Sequence, residues 1–290
     1  MSLLSQITLP QYTIYGASLG GLYTSLYIPQ LDVLLDVGFA MRRAASVQRL
    51  FLSHTHLDHV GALPSLLGMR GMSGRRDQAL EIYLPNGLAD DLQQSIMHFS
   101  HIHDWPLAIT CHTMLADQEI HLKANLWVRA LQTFHPVPSL GYLFFERVKK
   151  LKKEYKSLPG KQIKQMKEAG EPLFVEEERL RVAYITDTLI DTLKHNPHIM
   201  HADVLIIECT FLDQKKPISV ARAGCHIHLD ELIEYAPHIT SQHIVLMHFS
   251  QIYKPSEVYA YCQEALGPLW GERLHLCLPP SFSETNQWWM

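Results

Sequence analysis

Apolar residues in this chain fall mostly into short runs bounded by Gly, Pro and polar pairs, the pattern of strands. Tyr12–Tyr15, Gly21–Ile28 and Leu31–Asp36 come first, separated by Gly and Pro-Gln turns. Val47–Leu52 predicts a buried strand, and Glu81–Leu84 another, followed by a helix from about Gly87 to His101. Asn125–Phe134 alternates as a strand does, with Gly141–Phe145 as its partner. Leu180–Ile185, Val204–Ile207 and His243–Met247 are further buried strands, and a last one lies near Cys277. Helical spacing falls at Asp58–Met69, Asp191–His195, Leu229–Tyr235 and Pro255–Leu266. Strands come first as a meander and later alternate with helices. That order predicts an α/β fold of two sheets with helices on their outer faces, an αββα sandwich. No internal repeat is strong enough to assign, although the two strand-rich halves would suit a duplicated architecture.

Composition narrows the class. Hydrophobic residues make up 47% of the 290, ample for a large core, and charged residues only 19%, which argues against disorder. We expect one domain over 1–290, interrupted by an insertion at 146–178. The net charge of −4 and pI near 6.5 give no global sign of a nucleic-acid partner. Five dispersed cysteines without C-x-x-C spacing read as reduced thiols of a cytoplasmic protein. The first ten residues lack the regions of a signal peptide. No apolar run reaches the ~20 residues of a membrane-spanning helix, so no membrane partner is expected.

Candidate chemistry concentrates in Ser53-His54-Thr55-His56-Leu57-Asp58-His59. A strand ending in three histidines and a carboxylate delivers several metal ligands to one point, and these are ligand types that zinc selects. Side chains alternate along extended chain, so His54 and His56 point the same way. Asp58 and His59, at a helix start, can turn toward a second metal. Three more potential ligands each follow an apolar strand: His135, Asp187 and His248. Singly, they read equally as a loop histidine, a helix cap and a core histidine. His98, His101 and His103 lie at helical spacing with no strand to deliver them, and read as surface histidines.

The insertion Glu146–Glu178 carries Arg147, Lys149, Lys150, Lys152, Lys153, Lys156, Lys161, Lys164 and Lys167, more than a third of the chain's 25 Lys and Arg. Pro159-Gly160 breaks the run, Lys161–Ala169 resumes as a helix, and Gly170 caps it. Two readings stay open on composition: a solvated charged helical hairpin, or a protruding arm whose lysines contact a polyanion. Arg42 and Arg43 divide in the same way between a solvated pair and a phosphate contact.

Taken together, these motifs resemble the metallo-β-lactamase superfamily and, within it, tRNase Z of the short plant type. Beyond the histidine cluster, the resemblance rests on His135 with Ser139-Leu140-Gly141-Tyr142 and on Ile207-Glu208-Cys209-Thr210-Phe211. It rests also on His226-Ile227-His228-Leu229-Asp230-Glu231, on His248-Phe249-Ser250-Gln251-Ile252-Tyr253, and on the arm Leu151–Gly160. It implies a zinc-dependent endoribonuclease, with manganese as a substitute metal, that removes 3′ trailers from precursor tRNA. One zinc would be held by His54, His56 and His135, a second by Asp58, His59 and His248, with Asp187 between them. Such a pair, ~3.5–4 Å apart, shares a hydroxide nucleophile and clamps both oxygens of the displacement. Asp58 would orient that hydroxide and act as general base, while Glu208 and His226 would serve the leaving oxygen. Lys149, Lys150, Lys152, Lys153, Lys156, Lys161 and Lys164 would grip RNA, and the chain would form a homodimer.

The pattern has departures. Cys225 stands where the family has Gly, and its thiol is expected near the metal. Ile252 replaces an Arg. The loop Gly16–Gly21 lacks the Pro/Lys/Arg/Asn-rich element associated with excluding mature CCA ends. Trp288 and Trp289 suit either a subunit contact or a surface aromatic pair.

Overall fold

The computed structural model describes residues 4–278; Trp288 and Trp289 lie outside them. One seven-stranded sheet comprises β1 (Ser5–Thr8), β2 (Thr13–Leu19), β3 (Tyr23–Ile28), β4 (Val33–Leu35), β5 (Arg49–Phe51), β6 (Leu80–Pro85) and β7 (Ile109–Met114). A second comprises β8 (Glu119–Lys123), β9 (Leu126–Gln132), β10 (Leu140–Leu151), β11 (Phe174–Ile185), β12 (Val204–Glu208), β13 (His243–Met247) and β14 (Leu274–Leu276). In each, every strand pairs with its predecessor. Both begin with antiparallel pairings and finish with parallel ones. The halves thus share one layout.

The helices are α1 (Leu57–Val60), α2 (Leu63–Arg70), α3 (Ala89–His103), α4 (Gly160–Glu168), α5 (Asp191–His195), α6 (Ile218–Ala223), α7 (Leu229–Tyr235) and α8 (Pro255–Trp270). Strands covered on both faces read as unbroken apolar runs, and β12 and β13 do so. Alternation sends Ile206 between the sheets, onto Phe51, Tyr142 and Phe144, and sends Leu205 and Ile207 outward under α7 and α8. On the far side Leu50, Leu52, Ile82 and Leu84 pack under α2 and α3. Phe51 stacks on Tyr83 at 4.7 Å and meets Tyr142 and Phe144 edge-on. Phe51, Tyr142 and Phe144 are fully buried, and each such side chain contributes roughly 1.5–3 kcal/mol.

Three expectations change. The helix expected over Asp58–Met69 is two helices. Pro64 has no N–H for the continuing ladder, and the Ala62 N–H turns instead to the Val37 carbonyl at 2.9 Å. Strands β1, β7 and β8, unread in the sequence, are sheet edges. Finally, the first part of the 146–178 insertion is not helical. Strands β10 and β11 run on together as a two-stranded ribbon, Arg147 opposite Glu178 through Leu151 opposite Phe174. At the ribbon's foot Arg129 and Arg147 share Glu119 and Glu178, and their guanidiniums lie over Phe145 and Trp127.

Candidate metal centre

Strands β5, β9, β11 and β13 all end at one edge of the sandwich, where ligands of parallel sheets gather. His54 and His56 follow β5, His135 follows β9, Asp187 follows β11 and His248 follows β13. Their donor atoms form two groups, each within 4.8 Å: His54, His56, His135 and Asp187; and Asp58, His59, His248 and Asp187. Asp187 is common to both. Its Oδ2 lies 3.8 Å from His54 Nε2, and its Oδ1 lies 3.3 Å from His59 Nε2 and 3.2 Å from His248 Nε2. His56 Nδ1 lies 3.1 Å from His54 Nε2 and 3.2 Å from His135 Nε2.

Hydrogen bonding behind these residues tests whether they suit a metal. His59 Nδ1 is 2.7 Å from Asp36, a carboxylate with no proton to give, so Nδ1 donates and in the neutral ring Nε2 keeps its lone pair. Asp36 also accepts the Ser53 hydroxyl at 2.7 Å, so Ser53 faces His54 Nδ1 at 3.0 Å as an acceptor and bares His54 Nε2. His59 Nε2 and His248 Nε2 are buried without any hydrogen bond. Bare imidazole nitrogens converging beside carboxylates fit a divalent cation. Burial, with His59 alongside, pushes His54 down to about 2 and keeps it neutral. Burial works against protonation of His59 too, but Asp187 and Asp36 outweigh it and raise its proton affinity. The carboxylates thus call for positive charge here, and a metal ion meets the same demand.

Asp36 was not identified from the sequence. The available signal was a carboxylate closing the apolar run that became β4. It sits fully buried and also accepts from Tyr184 at 2.7 Å. Backbone closeness matters as well: a Cβ on Gly38 would lie 1.7 Å from the Asp58 carbonyl oxygen, so only glycine fits.

Glu208 ends β12 fully buried, and its Oε1 accepts the Thr188 N–H at 2.8 Å and lies 3.3 Å from His226 Nδ1. The His226 ring stands 5.4 Å from His248 and 6.0 Å from His135, so it overhangs both donor groups. Burial lowers His226, but Glu208 outweighs burial and raises it to about 9.

The departures acquire geometry. Cys225 has φ +56°, a left-handed conformation that costs a residue with a Cβ roughly 1–2 kcal/mol and glycine far less. Its thiol joins no metal-capable group among the described residues, contrary to expectation. Neither do His98, His101 and His103, which lie along α3. Ile252 is exposed, and Arg43 lies 4.1 Å over the Tyr15 ring. The seven candidate RNA lysines do not behave alike. Lys149 and Lys150 pair across the ribbon with Glu176 and Glu177, and Lys164 with Glu168 one helical turn on. Lys152, Lys153, Lys156 and Lys161 make no ion pair among the described residues.

This fold and its twinned donor groups define a metallohydrolase. The family model for the beta-lactamase superfamily domain matches residues 31–249. Two Arabidopsis thaliana proteins resemble the chain over most of its length. tRNase Z TRZ1 is 32% identical over 85% of this chain and 88% of its own length, and chloroplastic tRNase Z TRZ2 is 31% identical over 87% and 71%. The short form of human tRNase Z shares the fold, with a TM-score of 0.57 at 20% identity over 82% of this chain and 92% of that one. The chain belongs to the beta-lactamase superfamily and, within it, to the tRNase Z family. That membership makes it a metal-dependent endoribonuclease.

Proposed function

We propose that the chain removes 3′ trailers from precursor tRNA, leaving a 3′ hydroxyl on the tRNA and a 5′ phosphate on the trailer. The observation that carries this is the pair of donor groups sharing Asp187, with histidine nitrogens bared toward them. His54, His56 and His135 would hold one zinc and Asp58, His59 and His248 the other, with Asp187 common to both and manganese as a substitute. Bound there, the metals supply Lewis-acid polarisation of the phosphate and an acidic water.

The chain's own residues do the rest. Asp58 accepts the Gly21 N–H at 3.0 Å. Burial raises its proton affinity, but His248 and His59 outweigh burial and hold it well below the usual carboxylate range. So weak a base suits orienting the attacking water better than storing its proton, which narrows the general-base role expected above. His226, partly open to solvent, donates a proton to the departing 3′ oxygen, and buried Glu208 positions it. Incubation with precursor tRNA, with and without chelator, tests the reading. One cut after the discriminator base, lost with chelator and restored by zinc, is expected; cleavage that ignores chelator sinks it.

We read 146–178 as the RNA-gripping arm. Its stem is neutralised by cross-strand pairs, so Lys152, Lys153, Lys156 and Lys161 at its end carry the grip. Replacing those four by alanine should lower the salt slope of tRNA binding by about 1 for each phosphate that is no longer neutralised. Hydrolysis of bis(p-nitrophenyl) phosphate should be unchanged. Equal loss of both activities would count against the arm.

A homodimer is part of the same proposal. Met72, just past α2, and Phe99 and Ile102 on α3 are exposed around a hollow of about 570 Å³ that Met69 and Trp105 also line, and Leu57 on α1 is exposed in the neighbouring hollow with Phe99. Exposed apolar side chains grouped in this way support a subunit contact there. Sedimentation velocity should show twice the 33.2 kDa chain mass; a monomer at micromolar concentration refutes the dimer.

A further inference from the structure

Thr210 has no part in the mechanism above, yet its side chain lies where three functional side chains meet. Oγ1 is 3.0 Å from His248 Nδ1 and 3.5 Å from His226 Nδ1, and it is hydrogen-bonded to Glu208 Oε2. Thr210, Glu208 and His248 are all buried. A threonine hydroxyl has one proton to donate and two lone pairs. A carboxylate can only accept, so the proton goes to Glu208, and toward His248 the hydroxyl acts as acceptor. His248 must then carry a hydrogen on Nδ1, and in the neutral ring that leaves Nε2 bare. That Nε2 is the buried, unbonded atom lying 3.2 Å from Asp187 and 3.6 Å from Asp58.

We propose that Thr210 is a positioning residue that relays the charge of Glu208 to His248 as a choice of tautomer, making His248 a ligand through Nε2. The inference rests on the metal-site reading of the same residues. A second copy of the device stands across the site: Asp36 takes the Ser53 proton, and Ser53 faces His54 Nδ1. Carboxylate, hydroxyl and imidazole follow in that order in both. Glu208 therefore serves two ends. Oε1 holds His226 over the site, and Oε2, through Thr210, sets the ligand face of His248.

The relay has a direction that can be reversed. The Thr188 N–H occupies Oε1 at 2.8 Å. A Glu208→Gln side chain keeps its carbonyl oxygen there and turns its NH2 toward Thr210. The hydroxyl then accepts from that amide, and its proton turns toward an imidazole Nδ1, His248 being nearest. The Nε2–H tautomer that follows cannot bind metal.

Zinc titration of the full chain against a chelating dye tests this. Thr210→Val should weaken one of two sites about 10–100-fold, with Thr210→Ser within about threefold of the parent, the range seen when a partner behind a metal ligand is lost. Glu208→Gln should weaken the same site. If Thr210→Val does not fold, Thr210→Ala removes the same hydroxyl with less bulk. Two tight sites in the hydroxyl-free variant, or equal weakening of both, would overturn the relay. If the parent binds no zinc, the functional reading fails separately. Imidazole 15N NMR of the metal-free protein then decides the relay alone. A His248 hydrogen on Nδ1 in the parent that moves to Nε2 in Thr210→Val supports it, and an unchanged tautomer overturns it.

Discussion

His226→Ala is expected to keep its full metal content and to cleave precursor tRNA about 10²–10⁴-fold more slowly, the range that a positioned proton donor contributes. The two parts of this outcome rest on different facts. Metal retention follows because His226 stands outside the two groups that share Asp187, and no ligand hydrogen-bonds to it in the structure. The loss of rate follows because Glu208 gives the imidazole both a fixed orientation and a raised proton affinity. Metal analysis and single-turnover cleavage, measured on one preparation, separate the two. Near-normal cleavage by a metal-replete variant would remove His226 from the mechanism. Loss of metal would place it among the ligands, beside His248 and Glu208.

Asp187→Ala should have the larger effect. One oxygen of Asp187 faces His54 and the other faces His59 and His248, so a single truncation strips an anion from both groups. Thr186 fixes the carboxylate with a hydrogen bond of 2.8 Å, and among the described residues no other carboxylate joins the group of His54. Metal content should fall below one ion per chain. Cleavage should fall at least about 10³-fold, the equivalent of roughly 4 kcal/mol of transition-state stabilisation. Hydrolysis of bis(p-nitrophenyl) phosphate should fall in parallel, since the arm plays no part in it. Elemental analysis, with circular dichroism to verify folding, checks the expectation; two retained metals would show that Asp187 is not shared.

The sequence made the site far more legible than its support. His54 to His59 are contiguous, and His135, Asp187 and His248 each follow a buried strand, so local pattern was enough to pick them out. Asp36 was hidden because its partners Ser53, His59 and Tyr184 are brought to it only by the fold. Thr210 lay within a motif segment, but a hydroxyl's role depends on which neighbours can give or take a proton, and those are distant in sequence. Edge strands β1, β7 and β8 were missed for a different reason. They are short and largely polar, so apolar continuity does not mark them, and the alternation of β8 (Glu-Ile-His-Leu-Lys) runs for only five residues. The insertion misled through composition. Its nine cations are accompanied by seven glutamates (146, 154, 168, 171, 176, 177 and 178), and only cross-strand register shows which lysines those acids neutralise.

Strand β11 runs from the outer end of the ribbon to Ile185, two residues before Asp187, with one register shift against β10 at Phe144 and Phe145. At about 3.3 Å per residue, its twelve residues span ~40 Å. The arm proposed to grip RNA is therefore joined to the edge that carries Asp187 by continuous strand with one bulge, and not by a loop. An RNA held as proposed would be selected by the distance between its backbone and its scissile bond. Lengthening both strands by two residues would move the mark by ~7 Å while every side chain kept its face. A one-residue change would turn the whole lysine set over. An even-numbered change keeps the faces by itself, whereas an odd-numbered one needs a compensating bulge such as the one β11 already carries opposite Phe144 and Phe145.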